Sequence, residues 1–115
     1  MLTTVGEVIY LAGPYTDKDP KVSEQRFRAL NKAAASLMHK GFHVYCAISH
    51  THPITLEGDL PTDWEFWKQY DTVMLSRCNK IVVVMLEGWD KSTGVAAEIE
   101  IAKELGLPVE YMEPV

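Results

Sequence analysis

The stretch Gly88-Trp89-Asp90-Lys91-Ser92-Thr93-Gly94-Val95-Ala96-Ala97-Glu98 places a carboxylate in the first turns of a helix, directly after an apolar run that reads as a buried strand. In an open α/β sheet, ligands bind outside the carboxyl ends of the strands, so Glu98 is offered there as a nucleophile or base for a small substrate. The ordinary alternative is an acid that favours the positive end of the helix dipole. Asp71 is the second carboxylate of interest. It lies in the helix before that strand, and a crossover helix returns it to the same side of the sheet. A close carboxylate pair suits covalent glycosyl transfer, in which one group attacks and the other assists protonation. The expected separation is roughly 5–6 Å, as in retaining glycosidases. A solvated helix residue is the ordinary alternative for Asp71.

Four further groups could complete such a site. Tyr10-Leu11-Ala12-Gly13-Pro14-Tyr15 ends a strand, and Gly13 allows a sharp turn and close approach of a ligand to the amides. The segment lacks the later glycines of a dinucleotide fingerprint and the Gly-Lys-Ser/Thr of a phosphate loop. Ser92, Thr93 and Gly94 open a helix, where free amides and hydroxyls suit an anion or simply cap the helix. Ser49-His50-Thr51-His52-Pro53 offers His50 and His52 as substrate contacts or as loop structure; two close histidines are not a full ligand set, and no metal is expected. Trp64 sits at a helix start, where it could stack on a base or bury an interface, and shares a face with Trp67.

The elements that must position these residues follow from the pattern of apolar positions. Strands are expected at 8–12, 42–46, 81–86 and 108–112, and helices at 21–40, about 63–77 and 95–105. Residues 47–61 read as a long loop. This alternation predicts a Rossmann-like, flavodoxin-like three-layer sandwich: a parallel sheet in the order 2-1-3-4, with room for an extra edge element. The loops 13–20 and 87–94, which follow the first and third strands at the switch point, should then line one cleft.

The 115 residues suffice for one domain, 1–115, with nearly half the residues apolar. A formal net charge of −5 argues against a nucleic-acid-coating surface. No apolar run reaches membrane-spanning length, no secretory pattern opens the chain, and Cys46 and Cys78 lie in apolar context. A cytoplasmic protein without membrane attachment is the expectation. Trp64, Trp67 and Trp89 exceed the needs of one small core, so a homodimer or higher homo-oligomer is expected.

Taken in order, Tyr10-Leu11-Ala12-Gly13-Pro14, Asp71 with Met74-Leu75 and Cys78-Asn79, Ile81 to Leu86, and Ser92-x-Gly94-x-x-x-Glu98 with Ala102 resemble the nucleoside 2-deoxyribosyltransferase superfamily. That superfamily includes the 2′-deoxynucleoside 5′-monophosphate N-glycosidases. Two departures stand out: Asn79 occupies a place where the pattern has Asp, and the turn at 88–91 is longer than in the monophosphate glycosidases. The resemblance implies that Glu98 attacks C1′ of the sugar, that Asp71 assists the leaving base or orients the sugar, and that Tyr10 lies beside the nucleophile. It further implies that Ser92 contacts a 5′-phosphate. The expected activity is therefore cleavage or transfer at the N-glycosidic bond of a (deoxy)nucleoside or its 5′-monophosphate, without metal or organic cofactor. Gly13, Pro14, Tyr15, His50, His52, Trp64, Ser92, Thr93 and Gly94 are the candidate substrate contacts. The alternative is a nucleotide-binding or sensing module on the same fold that does not turn over.

Overall fold

The computed structural model describes residues 6–115. Its centre is a pair of short strands, β1 (Ile9–Ala12) and β3 (Lys80–Val84). Every residue of β1 and all but the first of β3 are buried. Such uninterrupted apolar runs suit strands covered on both faces. The edges are β2 (Val44–Cys46) and β4 (Val109–Met112), and the sheet runs β2-β1-β3-β4. All three pairings are parallel, with Tyr10 opposite Tyr45 on one side and Ile81 on the other. The expected order is therefore the observed one; the sheet has four strands, and no further edge strand is present among the described residues.

Side chains alternate across the sheet, so β1 feeds two cores. Ile9 and Leu11 join Val82 and Val84 beneath α1 (Pro20–His39), which contributes Leu30, Ala33 and Ala34. Tyr10 and Ala12 join Ile81 and Val83 on the opposite face. There they meet Leu75 of α3 (Trp64–Ser76) and Val95 and Ala102 of α4 (Thr93–Glu104). This alternation sends Tyr10 to the α3/α4 face, the face that also carries Asp71 and Glu98. The helix starts follow local chemistry. The Asp19 side chain accepts from the Lys21 amide ahead of Pro20, and Ser92 accepts from the Val95 amide at the start of α4.

Most of the expected loop at 47–61 is helical, and only residues 59–61 lie outside the helix. Ala47–Gly58 forms a helix, α2, with Pro53 inside it. Proline there lacks the N–H that would bond to the Ser49 carbonyl and is a poor helix residue. Tertiary contacts outweigh that cost. Ala47, Thr51 and Thr55 are buried at helical spacing, and His52 pins α2 onto α1. Among the described residues no helix is long and apolar enough to cross a membrane.

Candidate active site

The loops after β1 and β3 border one cleft of about 580 Å³, within the usual range for small-molecule sites. Gly13, Tyr15, Trp64, Asp71, Ser92, Thr93, Gly94 and Glu98 all line it. At its floor the Tyr10 hydroxyl donates to Glu98 Oε2 at 2.5 Å. Tyr10 is fully buried and Glu98 is 7% exposed, so this contact is largely shielded from water. Glu98 sits on the second turn of α4, and the Ser92 cap fixes where that turn begins.

Burial sets the electrostatics. Asp71 is 9% exposed, makes no hydrogen bond, and its carboxyl is pushed up to about 6 by desolvation. Glu98 is pushed up to about 8, first by desolvation and then by the Asp71 charge, against the opposing effect of the Tyr10 hydrogen bond. The asymmetry comes first from the stronger desolvation of Glu98; in addition, Asp71 loses its proton while Glu98 is still neutral, so only Glu98 ionises against a charged neighbour. Around neutral pH the pair therefore carries one proton. The Tyr10 phenol is driven well above its ordinary range by burial, with Glu98 and Asp71 adding to the effect, and stays a hydrogen-bond donor.

Several expected contacts lie elsewhere. His50 is exposed, its ring 5.9 Å from that of Tyr45, and is not on the cleft wall. His52 is buried behind Tyr15. Its Nε2 meets Glu24 at 2.9 Å, its Nδ1 meets the Tyr15 hydroxyl at 2.5 Å, and its ring lies 4.2 Å from that of Phe27. Since Glu24 can only accept, the neutral ring puts its proton on Nε2 and leaves Nδ1 to accept from Tyr15. His52 is thus a clamp joining α2, α1 and the β1 loop, and it acts on the cleft through Tyr15. Pro14 is fully buried and is also off the wall. Gly13 does line the cleft, but the space its missing side chain leaves is filled by Leu30, 2.6 Å from where a Cβ would stand. Core packing, rather than ligand approach alone, requires glycine there.

The tryptophans divide between the cleft and the core. Trp64 and Trp67 face the cleft, and Trp89 packs on the α3/α4 core and on Tyr111, with ring centroids 5.5 Å apart. All three are half-buried, and the exposed apolar residues of α3 are Phe66, Tyr70 and Val73.

Sequence reasoning missed Arg26, Lys91, Ile48, Thr51 and Thr55 on the cleft wall. The Arg26 guanidinium donates to the carbonyls of Tyr15 and Thr16 and, through its other terminal nitrogen, to that of Glu87. Gly88 permits this crossing: a Cβ there would lie 2.9 Å from Arg26 Nη2, and its φ of +89° is costly for other residues. Arg26 carried no signal beyond being a charged position on an amphipathic helix. Among the described residues no cluster of three His, Cys, Asp or Glu side chains is placed to hold a metal ion.

The family described as a domain of unknown function (DUF1937) matches residues 7–114, and the chain belongs to it. No curated protein matches the chain.

Proposed function

From membership of a family whose activity is unassigned, we propose that this protein cleaves or transfers the N-glycosidic bond of a (deoxy)nucleoside or its 5′-monophosphate. The observation that carries the reading is the buried trio of Tyr10, Glu98 and Asp71: both carboxyl groups line one cleft, and from beneath it Tyr10 aims a short hydrogen bond at Glu98. A Glu98 carboxylate oxygen forms a bond to C1′ as the C1′–N bond breaks. The bonding electrons leave with the base nitrogen, and Asp71 supplies the proton; the reacting form of the pair is the one whose single proton sits on Asp71 and not on Glu98. Water then attacks C1′, its proton returns to Asp71, and the sugar leaves Glu98 with net retention; a second base in place of water gives transfer instead. The Tyr10 hydrogen bond favours the ionised form of Glu98 that attack requires. No step needs a metal or organic cofactor.

Arg26 and Lys91 bring positive charge to the same wall as Ser92 and Thr93, which fits a substrate bearing a 5′-phosphate. The proton that Glu98 holds near neutrality in the empty cleft favours a second reading, a nucleotide-binding module without turnover. Incubation with a panel of deoxynucleosides and their monophosphates, followed by chromatography for free base, decides between them. Release of base by the parent chain and not by Glu98→Gln supports the enzyme; tight binding without release supports the module. The self-association expected of the chain has its best surface in Phe66, Tyr70 and Val73 of α3, and sedimentation at micromolar concentration tests it.

A further inference from the structure

We propose that the face of α2 bearing Ile48, Thr51 and Thr55 is the subsite that reads the edge of the leaving nitrogen heterocycle. The proposal rests on the N-glycosidic reading above and names which part of the substrate this wall meets.

The three residues recur at intervals of three and four, so they form one stripe along the helix. All three line the cleft that holds Asp71 and Glu98. Thr51 is 8% exposed and its hydroxyl donates to the Ala47 carbonyl at 3.0 Å. Its proton is spent inside the helix, so it offers a ligand only lone pairs. Thr55 is 7% exposed, and its hydroxyl makes no hydrogen bond with any described residue. Its oxygen is not shut away from water: among the described residues the buried side-chain oxygen without a partner is that of Tyr45, and the Thr55 hydroxyl opens on the cleft. Valine would fill the same space and offer the cleft no polar group. An unpaired donor and acceptor facing a cleft is what a ligand-reading group requires.

The stripe defines its complement. An N–H must face Thr51, a carbonyl or ring nitrogen suits the free hydroxyl of Thr55, and Ile48 covers the apolar part of a ring. The edge of a nucleobase, with donor and acceptor side by side, meets all three demands. Trp64 and Trp67 line the same cleft and offer aromatic faces for a planar ring. Asp71, also without a hydrogen bond, is then available to the departing nitrogen. The His52 clamp gains a purpose here, because it fixes the rotation and height of α2 against α1.

The test is Thr55→Val, which preserves shape. Free adenine, guanine, hypoxanthine, cytosine, uracil and thymine are titrated by calorimetry into the parent chain and the variant, with 2-deoxyribose as the base-free control. The variant should bind the preferred base about tenfold more weakly, the usual scale for one lost hydrogen bond at a ligand. KM for the corresponding nucleoside or monophosphate should rise by a similar factor. Binding of 2-deoxyribose should stay the same, and the melting temperature should hold, since the hydroxyl makes no bond within the protein that its loss would break. A merely structural threonine would instead lower the melting temperature and leave base affinity unchanged. If the parent binds a base and Thr55→Val binds it equally well, the subsite is overturned while the N-glycosidic reading stands. If no base, nucleoside or monophosphate binds the parent chain, both fall together.

Discussion

The Tyr10 hydroxyl and the Glu98 carboxylate, eighty-eight positions apart in the chain, meet at 2.5 Å beneath the cleft. One comes from the central strand and the other from the helix after the neighbouring strand, so the parallel sheet itself brings them together. Removing the hydroxyl isolates its effect. In Tyr10→Phe, Glu98 loses the interaction that favours its ionised form, so its carboxyl should titrate higher still. We expect kcat to fall roughly tenfold to a hundredfold, the scale of one lost donor to a charged group. The basic limb of the pH–rate profile should move upward. A profile identical to that of the parent would separate Tyr10 from the chemistry.

The parent profile should be a bell, because the working pair holds a single proton. Its limbs should fall near the values of about 6 and about 8 that Asp71 and Glu98 take in the cleft. These limbs belong to the pair as a whole. In Asp71→Asn the bell should become a single rise with pH whose midpoint lies below that of the parent's basic limb, since Glu98 then ionises without a charged neighbour. Rates should drop most for substrates with poor leaving bases. A bell that survives the substitution would assign the second group elsewhere.

Glu98 should weaken the fold as the medium becomes alkaline. Its carboxyl titrates at about 8 in the folded chain against an ordinary 4.5, so the native state binds more protons across that interval. Stability contributed by the protonated group is full below the ordinary value and is lost as pH rises towards the folded one. Asp71 acts in the same direction from its ordinary 3.8 up to about 6. Glu98→Gln removes the larger contribution and should be more stable than the parent at pH 8 by roughly 1–3 kcal/mol in urea unfolding, while releasing no base. A parent chain equally stable at pH 5 and pH 8 would count against this account of Glu98.

His52→Ala should cost about 2–4 kcal/mol, because it opens a cavity, leaves the Tyr15 hydroxyl without its partner and leaves Glu24 only its ion pair with Arg28. Hydrogen exchange should quicken across residues 47–58 first, since the clamp holds α2 to α1. Uniform destabilisation, with α2 exchanging no faster relative to the rest, would mean that Ala47, Thr51 and Thr55 suffice to seat it.

The sheet order and the helices around it were legible because their signals are local. The run Ile81-Val82-Val83-Val84 and the stop at Gly106 need no knowledge of distant residues. Glu98 and Asp71 could be read as facing one cleft because parallel topology fixes which ends of the elements converge. The helix at 47–58 was not legible, since two histidines, four β-branched residues and Pro53 all weaken local helix preference. What stabilises it is burial against α1 and the sheet, which the segment itself does not disclose. His52 was misplaced for the same reason: a polar residue in a presumed loop reads as a ligand contact, whereas in a buried helix it reads as a clamp. Arg26 was passed over because its partners are carbonyl oxygens, which every residue possesses and no sequence marks.

That last property bears on how the cleft could be altered. Arg26 fastens the strand-end loops at residues 15–16 and 87 through main-chain oxygens alone. The fastening is indifferent to which side chains those loops carry, so Glu87 can be exchanged without releasing the mouth of the cleft, and Thr16 with the loss only of its own hydroxyl bond to the Thr62 carbonyl. Both side chains are exposed. The rim of the site can therefore be rewritten for a different ligand while its frame stays latched, a separation of reach from support that suits this small chain to redesign.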